Sequence, residues 1–137
     1  MNKQKILTFA FMDPPFESER TVTFFRLLDA ALNQHAHIRV FAYEGAAALS
    51  FAKQSGHGNS VHGRNTEEEN HPLTKNWITA LQTKAKRNDL TFEWINCGLC
   101  VDERGVNDTI DGCGRGSPAD LWKYASESLN TLTIGTK

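Results

Sequence analysis

Two thiols three residues apart, Cys97 and Cys100, are the side chains of this chain best suited to chemistry. They lie in Ile95-Asn96-Cys97-Gly98-Leu99-Cys100-Val101-Asp102-Glu103-Arg104-Gly105-Val106, directly after the β-branched and aromatic run from Thr91 to Ile95. A cysteine reacts as its thiolate, and a strand that hands over to a helix sets the sulfur beside unpaired backbone amides that favour the anion. Cys97 stands at that junction. Cys100, one helical turn further on, is within reach of the same sulfur, and Arg104 follows it. The pattern admits a nucleophilic cysteine, a C-x-x-C dithiol, or a pair of buried small hydrophobes.

Other chemistry fits the residues less well. A thioredoxin-like dithiol normally follows the first strand of its unit, whereas this pair follows the third predicted strand. A zinc site would have to draw on Cys97, Cys100, Cys113 and a loop histidine, and the second paired-ligand motif usual in structural sites is missing. His57, His62 and His71 share one irregular loop at spacings that match no ligand motif, and are read as solvated. The glycines at 105, 112, 114 and 116 do not make a dinucleotide fingerprint, because Asp13-Pro14-Pro15-Phe16 fills the position after the first strand where its glycines belong. A P-loop is also lacking. The expectation is therefore no metal and no organic cofactor.

The elements that must position the cysteines alternate in type. Ile6 to Phe11 is a continuous apolar run, as expected of a strand covered on both faces. Ser18 and Glu19 open a helix whose buried stripe is predicted from Val22, Phe25, Leu28, Ala31 and Leu32, widened by Phe24 and Leu27. Ile38 to Tyr43 is a second strand. Glu44-Gly45 then turns into Ala46 to Ala52, a strong local helix former. From Gln54 to Pro72 the pattern lapses into a long loop holding the three histidines and Glu67-Glu68-Glu69.

A helix follows with Leu73, Trp77, Leu81 and Ala85 on one stripe, and Lys84, Lys86 and Arg87 at its C-terminal end. Leu90 to Ile95 is the third strand. Gly105 suits the C-terminus of the helix after the cysteines. The segment around Thr109-Ile110 and the following glycines is expected to hold a short fourth strand. Ser117-Pro118 starts a last helix with Leu121, Tyr124, Ala125 and Leu129 on its apolar side, and Thr131 to Ile134 is the final strand. Phe24, Trp77 and Trp94 are expected to serve an oligomer surface.

Alternating strands and helices imply an α/β fold with a mostly parallel sheet of about five strands and helices on both faces. Ligands and reactive groups collect at the C-terminal ends of such strands, which is where Cys97 falls. At 137 residues the chain is expected to form a single domain over 1–137, with the loop at 54–72 an excursion within it. Its 39% hydrophobic and 23% charged residues are an ordinary globular balance, and the net charge of −1 offers no electrostatic case for nucleic acid or an anionic membrane. Apolar runs fall short of the ~20 residues needed to span a bilayer. Three cysteines fit a reducing compartment better than a disulfide scaffold, so a cytoplasmic location is expected.

The cysteine turn also resembles a known family. Asn96-Cys97 followed by Arg104-Gly105-Val106, together with Val40-Phe41-Ala42-Tyr43-Glu44-Gly45 and Gly116-Ser117-Pro118-Ala119-Asp120-Leu121, is similar in order to the DsrE/TusD (DsrE/DsrF-like) sulfur-relay family. The resemblance covers nearly the whole chain. It implies a three-layer flavodoxin-like domain that assembles into homotrimers or hexamers, or with related subunits. It also implies a sulfur carrier that takes persulfide sulfur from a donor protein and relays it to an acceptor protein. The family's sulfur-accepting cysteine matches Cys97, whereas Cys100 lies outside the minimal pattern and stands as an auxiliary thiol. The Asn107 to Gly116 segment looks shorter than in relatives and the 54–72 loop longer, in regions that would select the partner. Two alternatives remain beside this one: a non-catalytic oligomeric binding module with structural or redox-sensing cysteines, and a C-x-x-C dithiol oxidoreductase.

Overall fold

The computed structural model describes residues 4–57, 61–64 and 72–135. His71 and the acidic run at 67–69 lie outside them. The strands are β1 (Ile6–Phe11), β2 (His37–Ala42), β3 (Phe92–Cys97), β4 (Cys113–Gly116) and β5 (Asn130–Ile134). They form one sheet in the order β4-β3-β2-β1-β5, and every pairing is parallel. Four α-helices accompany them among the described residues: α1 (Glu19–Asn33), α2 (Thr74–Arg87), α3 (Gly98–Arg104) and α4 (Pro118–Glu127). The fold is the expected α/β, three-layer and flavodoxin-like.

Alternation along the strands divides the sheet into two faces. One carries Phe9, Phe11, Ile38, Val40, Ala42 and Trp94, which join buried residues of α1 and α2 in the main core. Phe11 and Phe24 stack at 4.2 Å between centroids, Phe25 stacks on Trp77 at 4.7 Å, and Trp94 meets Phe24 edge-on at 6.0 Å. Each of these buried aromatic side chains contributes on the order of 2–3 kcal/mol of apolar burial. The opposite face is covered by α4. There the Thr8 hydroxyl donates to the Tyr124 carbonyl and also hydrogen-bonds Ser128, while Arg39 pairs with Glu127 and lies 5.0 Å from the Tyr124 ring centre.

Chain direction across the sheet reverses once. β1 through β4 step outward one strand at a time, and α4 then carries the chain back over the other face to β5, beyond β1. The strand order therefore reverses at β1/β5, whereas Cys97 lies two strands away at the C-terminal end of β3, on the edge of a parallel sheet where ligands and reactive groups collect.

Several sequence expectations need correction. Val22 does not belong to the buried stripe of α1; it is 44% exposed, while Phe24 is fully buried. Phe24 and Trp94 are core residues rather than oligomer surface, because they interlock with Phe11 and Phe25; Trp77 is partly buried against Phe25. The predicted helix at Ala46 to Ala52 is a 3-10 turn at Glu44–Ala48, followed by buried Leu49 and by Phe51, which bridges to Thr109. The short fourth strand forms within the expected segment, at Cys113–Gly116, with Thr109 outside it. On α4, Tyr124 is the buried residue, whereas Leu129, beyond the helix, is 66% exposed. Ser117 and Asp120 do form a capping box, with Pro118 in the first turn.

Candidate functional site

Strand β3 runs two residues past its predicted end and delivers Cys97 as its last residue, which is also the N-cap of α3. Strand and helix meet without a linker. The junction holds because Asn96 is locked inside: the Trp94 indole N–H donates to Asn96 Oδ1 at 2.9 Å, and Asn96 Nδ2 donates to the Ser50 hydroxyl at 2.8 Å. A buried amide with both ends satisfied fixes the strand end, and hence the cysteine after it. Gly105 closes α3 in the left-handed conformation, at φ 65°, as the sequence predicts.

Cys97 is buried at 8% exposure and Cys100 is half-buried. Cys97 caps α3 and Cys100 lies in its first turn, which makes the two thiols neighbours. The Cys100 sulfur accepts from the Glu44 amide at 3.1 Å. Burial pushes the Cys100 thiol above its ordinary pKa, the neighbouring Cys97 thiol adds to that, and the Glu44 amide opposes it. Glu44 reaches this position with φ 53°, a left-handed backbone uncommon for a residue with a Cβ and worth about 1 kcal/mol of strain. Its carboxylate meets Arg104 at 3.3 Å, and Arg104 donates to the Cys100 carbonyl. Glu44 and Arg104, with Met12, Pro14, Gly45 and Ala48, line an open cleft of about 700 Å³ next to Cys100.

Arg115 of β4 brings a positive charge to the start of α3, against Gly98 next to Cys97. Its guanidinium is held by Asp102 of α3 through two hydrogen bonds, 2.8 and 2.6 Å long. The same pairing holds the Asp102 carboxyl below its ordinary pKa. Gly98 makes room for this arm, since a Cβ there would lie 2.8 Å from Arg115 Nε.

Cys113 does not join the pair. It sits opposite Trp94 in the sheet and packs against the main core. Burial pushes its thiol up to about 12, the mark of an inert cysteine. Among the described residues no three His, Cys, Asp or Glu side chains cluster as a metal site. His57 is exposed and borders a separate cleft beside Phe51 and Leu73, and His62 is exposed. Among the described residues no helix is long and apolar enough to cross a membrane.

Sequence reasoning missed Arg115, Asp102, Glu44 and Asp13. Asp13, at the end of β1, is buried at 1% exposure and accepts from Ser18 at 2.6 Å and Arg20 at 2.7 Å. An aspartate directly before two prolines, with serine five residues on, was the available signal for it. For Arg115 the signal was an arginine between two glycines shortly after the cysteine helix.

Comparison with known proteins agrees with this architecture. The DsrE/DsrF-like family model matches residues 5–134. The crystal structure of the ychN protein from E. coli is similar with a TM-score of 0.65 at 19% identity, over 96% of this chain and 99% of that one. A conserved protein of unknown function from Bacteroides thetaiotaomicron, BT1422, is similar with a TM-score of 0.62 at 13% identity, over 95% of each chain. At these identities the likeness is one of fold. No curated protein matches the sequence.

Proposed function

The chain belongs to the DsrE/DsrF-like family, which is generally related to sulfur relay, and from that premise we propose that it is a cytoplasmic sulfur carrier acting through Cys97. The Cys97 thiolate attacks the outer sulfur of a donor protein's persulfide; the donor cysteine leaves as a thiolate and Cys97 becomes a persulfide. An acceptor protein's thiol then attacks that outer sulfur and Cys97 returns to the thiolate. Neither step calls for a metal or an organic cofactor.

The observation that carries this reading is the gathering of three groups at the C-terminal end of β3. Cys97 ends β3 and caps α3, Arg115 of β4 lies against Gly98 next to it, and Cys100 sits in the first turn of the same helix. A persulfide is more acidic than a thiol, and a fixed guanidinium beside it favours the anion. Residues 1–137 act in this reading as one domain. Homotrimers, hexamers or complexes with related subunits are its working form, and exposed Trp122 on α4 offers apolar surface for such contacts.

The test is loading with labelled persulfide sulfur from a donor protein. The expected result is one labelled sulfur on Cys97, mapped by mass, and none on the Cys97→Ser protein. Equal loading of Cys97→Ser and wild type would overturn the assignment. Sedimentation of the same samples checks the assembly.

A further inference from the structure

Cys100 has no place in a one-thiol relay, yet the fold is shaped around its sulfur. The Glu44 backbone is held in a left-handed conformation at φ 53° while its amide donates to Cys100 Sγ at 3.1 Å. Strained backbone that aims a donor at a reactive atom is characteristic of functional sites. Arg104 fastens the arrangement from the other side, donating to the Cys100 carbonyl and pairing with the Glu44 carboxylate. Cys100 itself sits within the first turn of the helix that Cys97 caps, three residues on. The sulfur it neighbours is Cys97 Sγ, which becomes the inner sulfur once a persulfide has formed.

We propose that Cys100 is a resolving thiol, which attacks the inner sulfur of a Cys97 persulfide, closes a Cys97–Cys100 disulfide and releases hydrogen sulfide. The proposal rests on the carrier reading above. The balance is closed within the protein. The Cys100 thiolate forms the new S–S bond to Cys97 Sγ as the bond from Cys97 Sγ to the outer sulfur breaks. Its electron pair leaves with the outer sulfur as hydrosulfide, and the proton from Cys100 goes to solvent. The sulfane sulfur is reduced to sulfide while the two cysteines are oxidised to the disulfide. A dithiol reductant restores the starting thiols by exchange. The Glu44 amide supports the attack by stabilising negative charge on Cys100.

This gives the protein a second outcome for bound sulfur. When an acceptor thiol arrives first, the outer sulfur is handed on. When none does, the sulfur leaves as sulfide and the carrier is shut until it is reduced. Attack by Cys100 on the outer sulfur instead would only move the persulfide to Cys100, with no sulfide and no disulfide.

The experiment uses the full reduced chain, loaded with an equimolar amount of inorganic polysulfide, desalted, and left without acceptor. Sulfide is followed by a colorimetric assay and the protein by intact and peptide mass. In wild type the expected course is a gain of one sulfur on Cys97, then stoichiometric sulfide and a final species lighter by a pair of hydrogens, with the disulfide mapped to Cys97–Cys100. Cys100→Ser and Cys100→Ala, checked for folding by circular dichroism, are expected to keep the Cys97 persulfide and release no sulfide. A wild-type Cys97 persulfide that persists as long as in the Cys100 variants, or a sulfur found on Cys100, overturns the resolving role and leaves the carrier intact. Loading that is the same in Cys97→Ser as in wild type overturns both.

Discussion

Arg115 on β4 grips Asp102 on α3 with two nearly parallel hydrogen bonds, 2.8 and 2.6 Å long, across the helix that Cys97 caps. The clamp joins a strand to the helix of the preceding crossover and keeps the guanidinium against Gly98, the residue after Cys97. Because both partners are exposed, its worth is in orientation rather than in stability. Arg115→Gln is therefore expected to leave the melting temperature nearly unchanged and to slow alkylation of Cys97 at neutral pH by roughly fivefold, the scale of one charge contact near a protein surface. Site-resolved alkylation kinetics check this. An unchanged Cys97 rate would mean that the guanidinium does nothing for the sulfur.

Gly98→Ala separates the helix from the charge. Alanine is the better helix former, so α3 itself should not suffer. The added Cβ would meet Arg115 Nε at 2.8 Å, and a flexible arginine gives way more readily than backbone does. The expected result is a folded protein whose Cys97 behaves like that of Arg115→Gln. In the double variant the two effects should not add, since both act by removing the same charge.

The residues that proved hard to read from sequence share a physical cause. Cys97 was legible because a β-branched run leading into paired cysteines marks a strand end, and Gly105 because helices commonly close on a left-handed glycine. Arg115 was not: Cys113-Gly114-Arg115-Gly116 has none of the apolar alternation of a strand and is a strand only because β3 supplies its pairing. Glu44 was hidden for another reason. Nothing local marks a non-glycine residue for left-handed backbone, and Gly45 beside it looked like the turn residue. Phe24 and Phe25 are adjacent and both lie in the core, as the widened stripe implies; what the sequence did not show is the partner of each, Phe11 for Phe24 and Trp77 for Phe25.

Asn96 offers a stability test at the base of the site. It is 1% exposed and satisfies both the Trp94 indole and the Ser50 hydroxyl. Asn96→Ala strands two buried polar groups and removes side-chain volume, at an expected cost of about 2–4 kcal/mol. Chemical denaturation measures it. Since the network also fixes the end of β3, the variant should alkylate faster at the otherwise buried Cys97, through local opening of the strand end.

Cys113 is the internal control for every thiol experiment, and its behaviour with pH has a definite sign. Its folded-state pKa is pushed up from 9.0 to about 12, chiefly by burial, with the Ser50 side chain opposing. A thiol that is harder to ionise in the folded than in the unfolded protein contributes its full share of stability below the unfolded value. That share is lost as pH rises through the window from about 9 to about 12, at a rate approaching 1.4 kcal/mol per unit. Tyr43 and Tyr124 are also raised by burial, and steepen the loss in the same alkaline direction. Cys113→Val removes the cysteine share and leaves the tyrosine share. Stability curves of the two proteins should therefore run parallel near neutral pH and converge in the variant's favour above pH 9, while native-state alkylation at neutral pH finds Cys113 the slowest of the three cysteines. Parallel curves throughout would place Cys113 in contact with solvent, and with it the face of β4 that packs behind the site.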